Sequence, residues 1–441
     1  MKFLAKGFYL LCMLVFAAGM SACSDDNKDG DTPPPPSPLT PDEHKAKLET
    51  VGKDFIAKFN AEDHRTAVET IDYLVGILET SGLFGEDDEE DVVMPDPNPG
   101  YNPMVQMLSS LRSVAKSNSL IGLTTLAAEV DKVSLADYAG VYTYNESNED
   151  WDKVDATGKI ELNFNNGKAC VLALTFEGGK DYVYENTAVN IPAKMTVSLK
   201  VAGSEQIGAS VNTSLADNQK SADVEVKMTL NGGYAWELAL NAKSNVITEV
   251  YKMSKNGEML INSSAEITGQ NLTDPNALEN SEAEDLLSEG ELSVNIMDVV
   301  VKGQGDIKAI IKGVDAITES SSSKTGAQKE ADIYNKYASM ALYYSGGSEK
   351  VADVKMDIVK DEDDNNVGYD PAPSTGKMEQ SANGSTSYEY YYTTPILIFA
   401  SDGSKYDMET YFSEANFGSL IQSVKTLVNK YAAMVGETVD F

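Results

Sequence analysis

The sequence predicts an α+β fold: a helical N-terminal segment, then a large curved antiparallel β-meander with a C-terminal helix packed on its apolar face. Three observations predict it. Apolar residues of the first third recur at helical spacing, as in Leu48, Val51, Phe55 and Phe59. From about Tyr138 the period falls to two, and Asn-Gly pairs punctuate it. Near the end a helical stripe returns, made of Phe417, Leu420, Ile421, Val424, Leu427, Val428 and Tyr431 and stopped by Gly436. Such a helix is marginal alone, so its stripe needs an apolar surface, and the sheet offers one.

The helical segment spans about 42–135. Ile71, Leu74, Val75 and Leu78 continue its pattern, and Gly82 is a stop. The acidic run 86–91 and the proline-rich run 95–100 read as a loop. Asn102-Pro103 is a cap and first-turn pair that opens a third helix along Met104, Leu108, Leu111 and Ala115. Leu123, Leu126, Val130 and Val133 imply a fourth.

The sheet domain spans 136–441. Ile160, Leu162 and Phe164 alternate with Glu161 and Asn163. Met195, Val197 and Leu199, then Val224, Val226 and Met228, then Trp236 and Leu238, continue the alternation, which gives one dry face and one wet face. Asn165-Asn-Gly167, Gly178-Gly179, Asn231-Gly-Gly233 and Asn256-Gly257 mark the turns. A helical insertion is expected over 274–288, and Ile307–Ile317 fits strand or helix. Thr325–Leu342 reads as helix and Val351–Val359 as strand. Ser387–Tyr392 and Pro395–Ala400 read as a further strand pair.

The N-terminus gives an address. Lys2 and Lys6 precede the apolar run 8–18, which is too short to span a bilayer, and small residues lead to Cys23. Met20-Ser-Ala-Cys23 resembles the bacterial lipobox, and Ser24-Asp25-Asp26 resembles the export signal of Bacteroidota-type surface lipoproteins. The resemblance implies a signal peptide over 1–22, lipidation (palmitate included) at Cys23, and an outer-membrane anchor facing the cell exterior. A polar, proline-rich tether would fill 23–41. The run Tyr138–Tyr144 with Trp151-Asp-Lys153, Leu162-Asn-Phe164 and Ile191-Pro192 is similar to uncharacterised secreted lipoproteins of the same bacteria, and it transfers no site residues. The architecture resembles the half-open sheets of envelope lipid-carrier lipoproteins, as fold analogy only.

Composition narrows function. The chain has 441 residues and a net charge of −34, so nucleic acid is discounted as a partner. Of three cysteines, Cys12 leaves with the signal and Cys23 is modified. Cys170 then has no partner for a disulfide and, alternating with Leu172 and Leu174, is expected to be buried and inert. The only two histidines, His44 and His64, lie among charged residues and are expected to face solvent. No Gly-x-Ser-x-Gly, phosphate-binding loop, His-Glu-x-x-His or Cys-x-x-Cys occurs. Asp361, Asp363 and Asn365 have calcium-loop spacing, but Asn366 and Ala372 stand where glycine and glutamate are needed, so a solvated loop is expected. No metal and no cofactor is expected.

Tyr388, Tyr390 and Tyr392 share one strand face, with Tyr391 on the other; on a wet face such rings stack on sugars, and on a dry one they cover a core edge. The leading expectation is a non-enzymatic binding or adhesion module at the cell surface, for a protein, glycan or lipid ligand. A carrier of an apolar ligand held between sheet and helix is the alternative, and a glycan-active enzyme the third reading.

Overall fold

The computed structural model describes residues 34–81, 83, 135–184, 187–216, 221–274, 277, 280–344, 349–360, 379–380, 386–387 and 390–434. Cys23, Tyr388, the third and fourth predicted helices and both acidic loops lie outside the described residues.

Helix α1 (Pro41–Ala57) starts at a capping box. The Glu43 carboxylate accepts from the Thr40 backbone N–H at 2.8 Å, while the Thr40 hydroxyl accepts from the Glu43 N–H at 3.4 Å. Pro41 occupies the first turn, where its missing N–H costs nothing. Helix α2 (Glu62–Ser81) buries Ala67, Val68, Ile71, Leu74, Ile77 and Leu78, a stripe at steps of three and four.

A 3₁₀ turn at Leu135–Tyr138 leads into the sheet. Its first strands are β1 (Gly140–Asn145), β2 (Asp150–Val154), β3 (Lys159–Asn165) and β4 (Ala169–Glu177). A separate ribbon follows, β5 (Lys180–Tyr184) with β6 (Thr187–Ile191). The long meander is β7 (Lys194–Val201), β8 (Ser204–Leu215), β9 (Ser221–Leu230), β10 (Tyr234–Lys243), β11 (Val246–Lys255) and β12 (Glu258–Gly269). After the short α3 (Ala283–Leu286) come β13 (Leu287–Ile296) and β14 (Val299–Asp306). Helices α4 (Ile307–Asp315) and α5 (Lys324–Tyr337) separate them from β15 (Ala338–Tyr344) and β16 (Glu349–Lys360). A two-residue pair, β17 (Glu379–Gln380) with β18 (Thr386–Ser387), precedes β19 (Tyr391–Phe399) and β20 (Lys405–Asp407). The chain closes with α6 (Met408–Tyr411) and α7 (Glu414–Met434).

Among the described residues one sheet has 16 strands, in the order β2-β1-β3-β4-β7-β8-β9-β10-β11-β12-β13-β14-β15-β16-β19-β20. Its neighbours are antiparallel except β1 and β3, which run parallel. An α+β architecture with a helical N-terminal segment and a C-terminal helix is therefore observed. The β11–β12 turn is one the sequence dictates: Asn256 and Gly257 both take positive φ, at 51° and 81°, the backbone that a two-residue hairpin needs.

The alternation becomes rows. Ile160, Leu174, Val197, Ala209, Met228, Trp236 and Met253 stand side by side from β3 to β11, all of them buried. Helix α2 lies on these rows and supplies Leu74, Leu78 and Ile71 to their core. A second core joins Met340, Leu342, Tyr344, Val351, Leu397 and Phe399 of the later strands to Tyr411, Phe417 and Leu420. Helix α7 thus packs on the apolar face through Phe417 and Leu420, and its Tyr431 and Met434 reach the first core. Between these contacts it crosses α1, where a Cβ on Gly52 would stand 2.7 Å from Leu420.

Three boundaries differ from the sequence reading. The insertion at 274–288 condenses to α3, and strand β13 begins at Leu287. The helix predicted over 325–342 stops at Tyr337, because Met340 and Leu342 are needed as core-facing residues of β15. Of the strands read as 387–392 and 395–400, Tyr391 and Tyr392 run on into the second as a single β19 through Pro395, while Ser387 belongs to β18. In addition, Pro35–Ser37, at the end of the expected tether, belong to the folded body. The Ser37 N–H donates to the Lys350 carbonyl at 2.8 Å, and the Lys350 N–H to the Pro35 carbonyl at 3.0 Å.

Candidate functional site

The described residues present a hollow of about 670 Å³ across β11–β16, lined mainly by side chains of the sheet face opposite α1, α2 and α7. The pleat builds it. Val250, Ser264, Ser293, Lys302, Ala341 and Asp353 form one row across six strands. Thr248, Glu266, Glu291, Gln304 and Ser339 form the row beside it. Tyr343 and Lys350, paired across β15 and β16, close one side. Every one of these points away from the apolar rows, because side chains alternate along a strand.

Small residues make the floor. Ser264, Ser293 and Ala341 leave room above the strands, while Glu266, Glu291, Gln304 and Lys302 rise around them. Glu266 and Glu291 stand directly opposite each other on neighbouring strands, an arrangement of like charges that costs stability. Lys350 is engaged by Asp353 at 2.6 Å, and the Lys302 ammonium lies 5.6 Å from the centre of the Tyr343 ring. The site therefore combines hydroxyls, carboxylates, ammonium groups and one aromatic ring. No group of three or more His, Cys, Asp or Glu side chains among the described residues could hold a metal ion.

The tyrosine cluster is elsewhere. Tyr390 and Tyr392 are 40% and 47% exposed, so these two do present faces to solvent at the start of β19. Tyr391 turns the other way, with its backbone N–H on the Ser322 carbonyl at 2.9 Å and its ring 5.7 Å from the Lys324 ammonium. Neither Tyr390 nor Tyr392 lines the hollow.

Cys170 is buried, and burial pushes its thiol pKa upward, which keeps it protonated. The histidine expectation is overturned: His44 and His64 are both 0% exposed. They sit on the inward sides of α1 and α2, while Glu43 and Glu62 beside them in sequence are exposed. Each Nδ1 shares a hydrogen bond with a tyrosine hydroxyl, His44 with Tyr344 at 3.0 Å and His64 with Tyr431 at 3.2 Å. Burial drives the tyrosine pKa values up at Tyr344, Tyr411 and Tyr431, and to about 12 at Tyr251.

Sequence reasoning did not single out any residue of the hollow. The signal available was a serine at a wet-face position two residues from a glutamate that faces the same way, which occurs at Ser264 with Glu266 and at Ser293 with Glu291. Only the cross-strand register brings them together.

No family model, no curated protein and no solved structure matches the chain.

Proposed function

We propose that this chain is a lipid-anchored binding module of the outer bacterial surface that takes a glycan in the hollow of β11–β16. One observation carries the reading: a recess floored by serines, walled by carboxylates and ammonium groups, and flanked by the Tyr343 ring. Hydroxyl-rich ligands need donors and acceptors placed at fixed positions, with a ring to stack on, and these residues supply them. The reading is non-enzymatic. Both histidines and Cys170 are buried in the cores on the other side of the sheet, away from any ligand in the recess. A carrier of an apolar ligand would need space between sheet and helix, yet Val68, Leu74 and Leu78 are fully buried in that interface. The lipobox-like Met20-Ser-Ala-Cys23 supports the anchor.

The test is an oligosaccharide array probed with the wild-type chain and with Ser293→Trp, which fills the centre of the floor. Wild type should retain a subset of glycans, and the variant should lose them by at least about tenfold at unchanged thermal stability. If no glycan is retained, or if Ser293→Trp retains them equally, the hollow is not the binding site.

A further inference from the structure

His44 is the fourth residue of α1, close to the helix start, and its ring is enclosed by β15, β19 and the segment after β19. The ring stacks on Phe399 at 5.4 Å between centroids, and Nδ1 meets the Tyr344 hydroxyl at 3.0 Å. Nε2 is buried with no hydrogen-bond partner among the described residues. A neutral imidazole tolerates this with a lone pair turned into an apolar pocket. A protonated ring must donate from both nitrogens, and at Nε2 there is nothing to receive the proton.

The charges around the ring do not rescue it. Lys47, one turn further along α1, holds its ammonium 3.6 Å from the centre of the Tyr344 ring and opposes a second cation. The helix start adds positive potential. Three carboxylates act the other way, but each is engaged elsewhere. Glu43 accepts from Thr40, Glu349 from the Ser37 hydroxyl at 3.3 Å, and Asp402 from the backbone and hydroxyl of Ser404. Tyr344 and Tyr411, on β15 and α6, are raised in pKa by burial and stay neutral. Burial first and Lys47 second hold the imidazole below its ordinary 6.5.

The same neighbourhood is where the N-terminal part of the body is fastened down. Pro35–Ser37 bridge to Lys350, and Leu39, Leu48 and Ile56 pack on the second core. Apart from His44, α1 has no buried residue. Helix α2 is fixed independently by its deep stripe on the first core.

We propose that His44 is an acid-opened latch: neutral, it holds α1 and the 35–37 bridge on β15 and β16, and protonated, it releases them while α2 stays in place. The folded chain keeps the ring neutral more strongly than the unfolded chain does. The stability it contributes is therefore complete above the ordinary value of 6.5 and is lost as pH falls from there through the folded-state value. The latch does not depend on the hollow or on what binds there.

Amide hydrogen exchange of the full chain, corrected for intrinsic rates, reads the release directly. Between neutrality and about pH 5, protection over Pro41–Ala57 should fall by at least about tenfold, while protection over Glu62–Ser81 holds. His44→Phe keeps the stack on Phe399 and cannot charge, so its α1 protection should not depend on pH in this range. Ring-labelled histidine gives a second measurement in the wild-type chain, which has only two such signals. The one assigned to His44, by its survival in His64→Gln, should titrate below 6.5. Titration at or above that value, unchanged α1 protection in acid, an equal loss in His44→Phe, or loss of α1 and α2 together would each overturn the latch.

Discussion

The Tyr234 hydroxyl is shared among the groups that turn the chain from α1 into α2. It accepts from the Asn60 backbone N–H at 3.0 Å and from the Lys255 ammonium at 2.9 Å, and it donates to the Lys58 carbonyl at 3.0 Å. Burial alone would lower the Lys255 pKa, but Tyr234 and Asp63 outweigh it and hold the ammonium above its usual value. Gly232 lets the β9–β10 turn approach this point: it takes φ of 85°, and a Cβ there would stand 2.7 Å from Asp63. Tyr234→Phe keeps the ring stacked between Phe59 and Trp236 and removes only the shared oxygen. It should cost about 1–3 kcal/mol in denaturant unfolding, the penalty for stranding buried polar partners. Little of this is legible in the sequence. Asn231-Gly-Gly233 announces a turn, but what the turn must accommodate lies some 170 residues earlier, at Asp63. The histidines fail for a related reason. Glu43, Lys45, Glu62, Asp63 and Arg65 make their surroundings look wet, because a one-dimensional window mixes both faces of a helix.

Elements were more legible than residues. A strand with one dry face needs apolar side chains at every second position, and that requirement is written into 160–240 without any knowledge of partners. Helix-on-sheet assignments are not written there, since any apolar stripe matches any apolar face. Both α2 and α7 offer one, and α2 takes the deeper place. Leu74 is 0% exposed in the first core, whereas Leu427 is half-buried along α7. Leu74→Ala should therefore cost roughly 2–5 kcal/mol. Leu427→Ala should cost about 1 kcal/mol or less. Chemical denaturation of the two variants side by side checks the ranking, and a larger loss at Leu427 would mean that α7 is the principal cover. The switch from α5 to β15 at Ala338 was missed because Tyr337, Met340 and Ala341 suit a helical stripe as well as a strand. The ladder with β14 decides it.

At the scale of the whole molecule the α+β class followed from counting periods, while the hollow did not. Its residues come from six strands between 248 and 353, and only their register makes them neighbours. The anchor proposed at Cys23 belongs to this scale, since it sets where the body works. Cys23→Ala should shift the protein from the detergent phase to the aqueous phase in a detergent-partition assay, and the intact mass should lose its acyl chains. Equal partition of variant and wild type would remove the anchor. The Pro35–Ser37 bridge places the first described residues beside β16, on the body itself.

That closure of the chain upon its own beginning imposes an order in time. Ser37 bonds Glu349 across 312 residues, His44 bonds Tyr344 across 300, and Tyr431 bonds His64 across 367. The meander can assemble as it is made, each hairpin on the last, because its pairings are between neighbours. The first two helices cannot make their longest-range contacts in this way. At about 5–20 residues per second they are synthesised on the order of tens of seconds before their most distant partners exist. For that interval α1 has neither Tyr344 nor Phe399 to dock on. The contacts that fasten α1 therefore form only after β15 and β19 have been made.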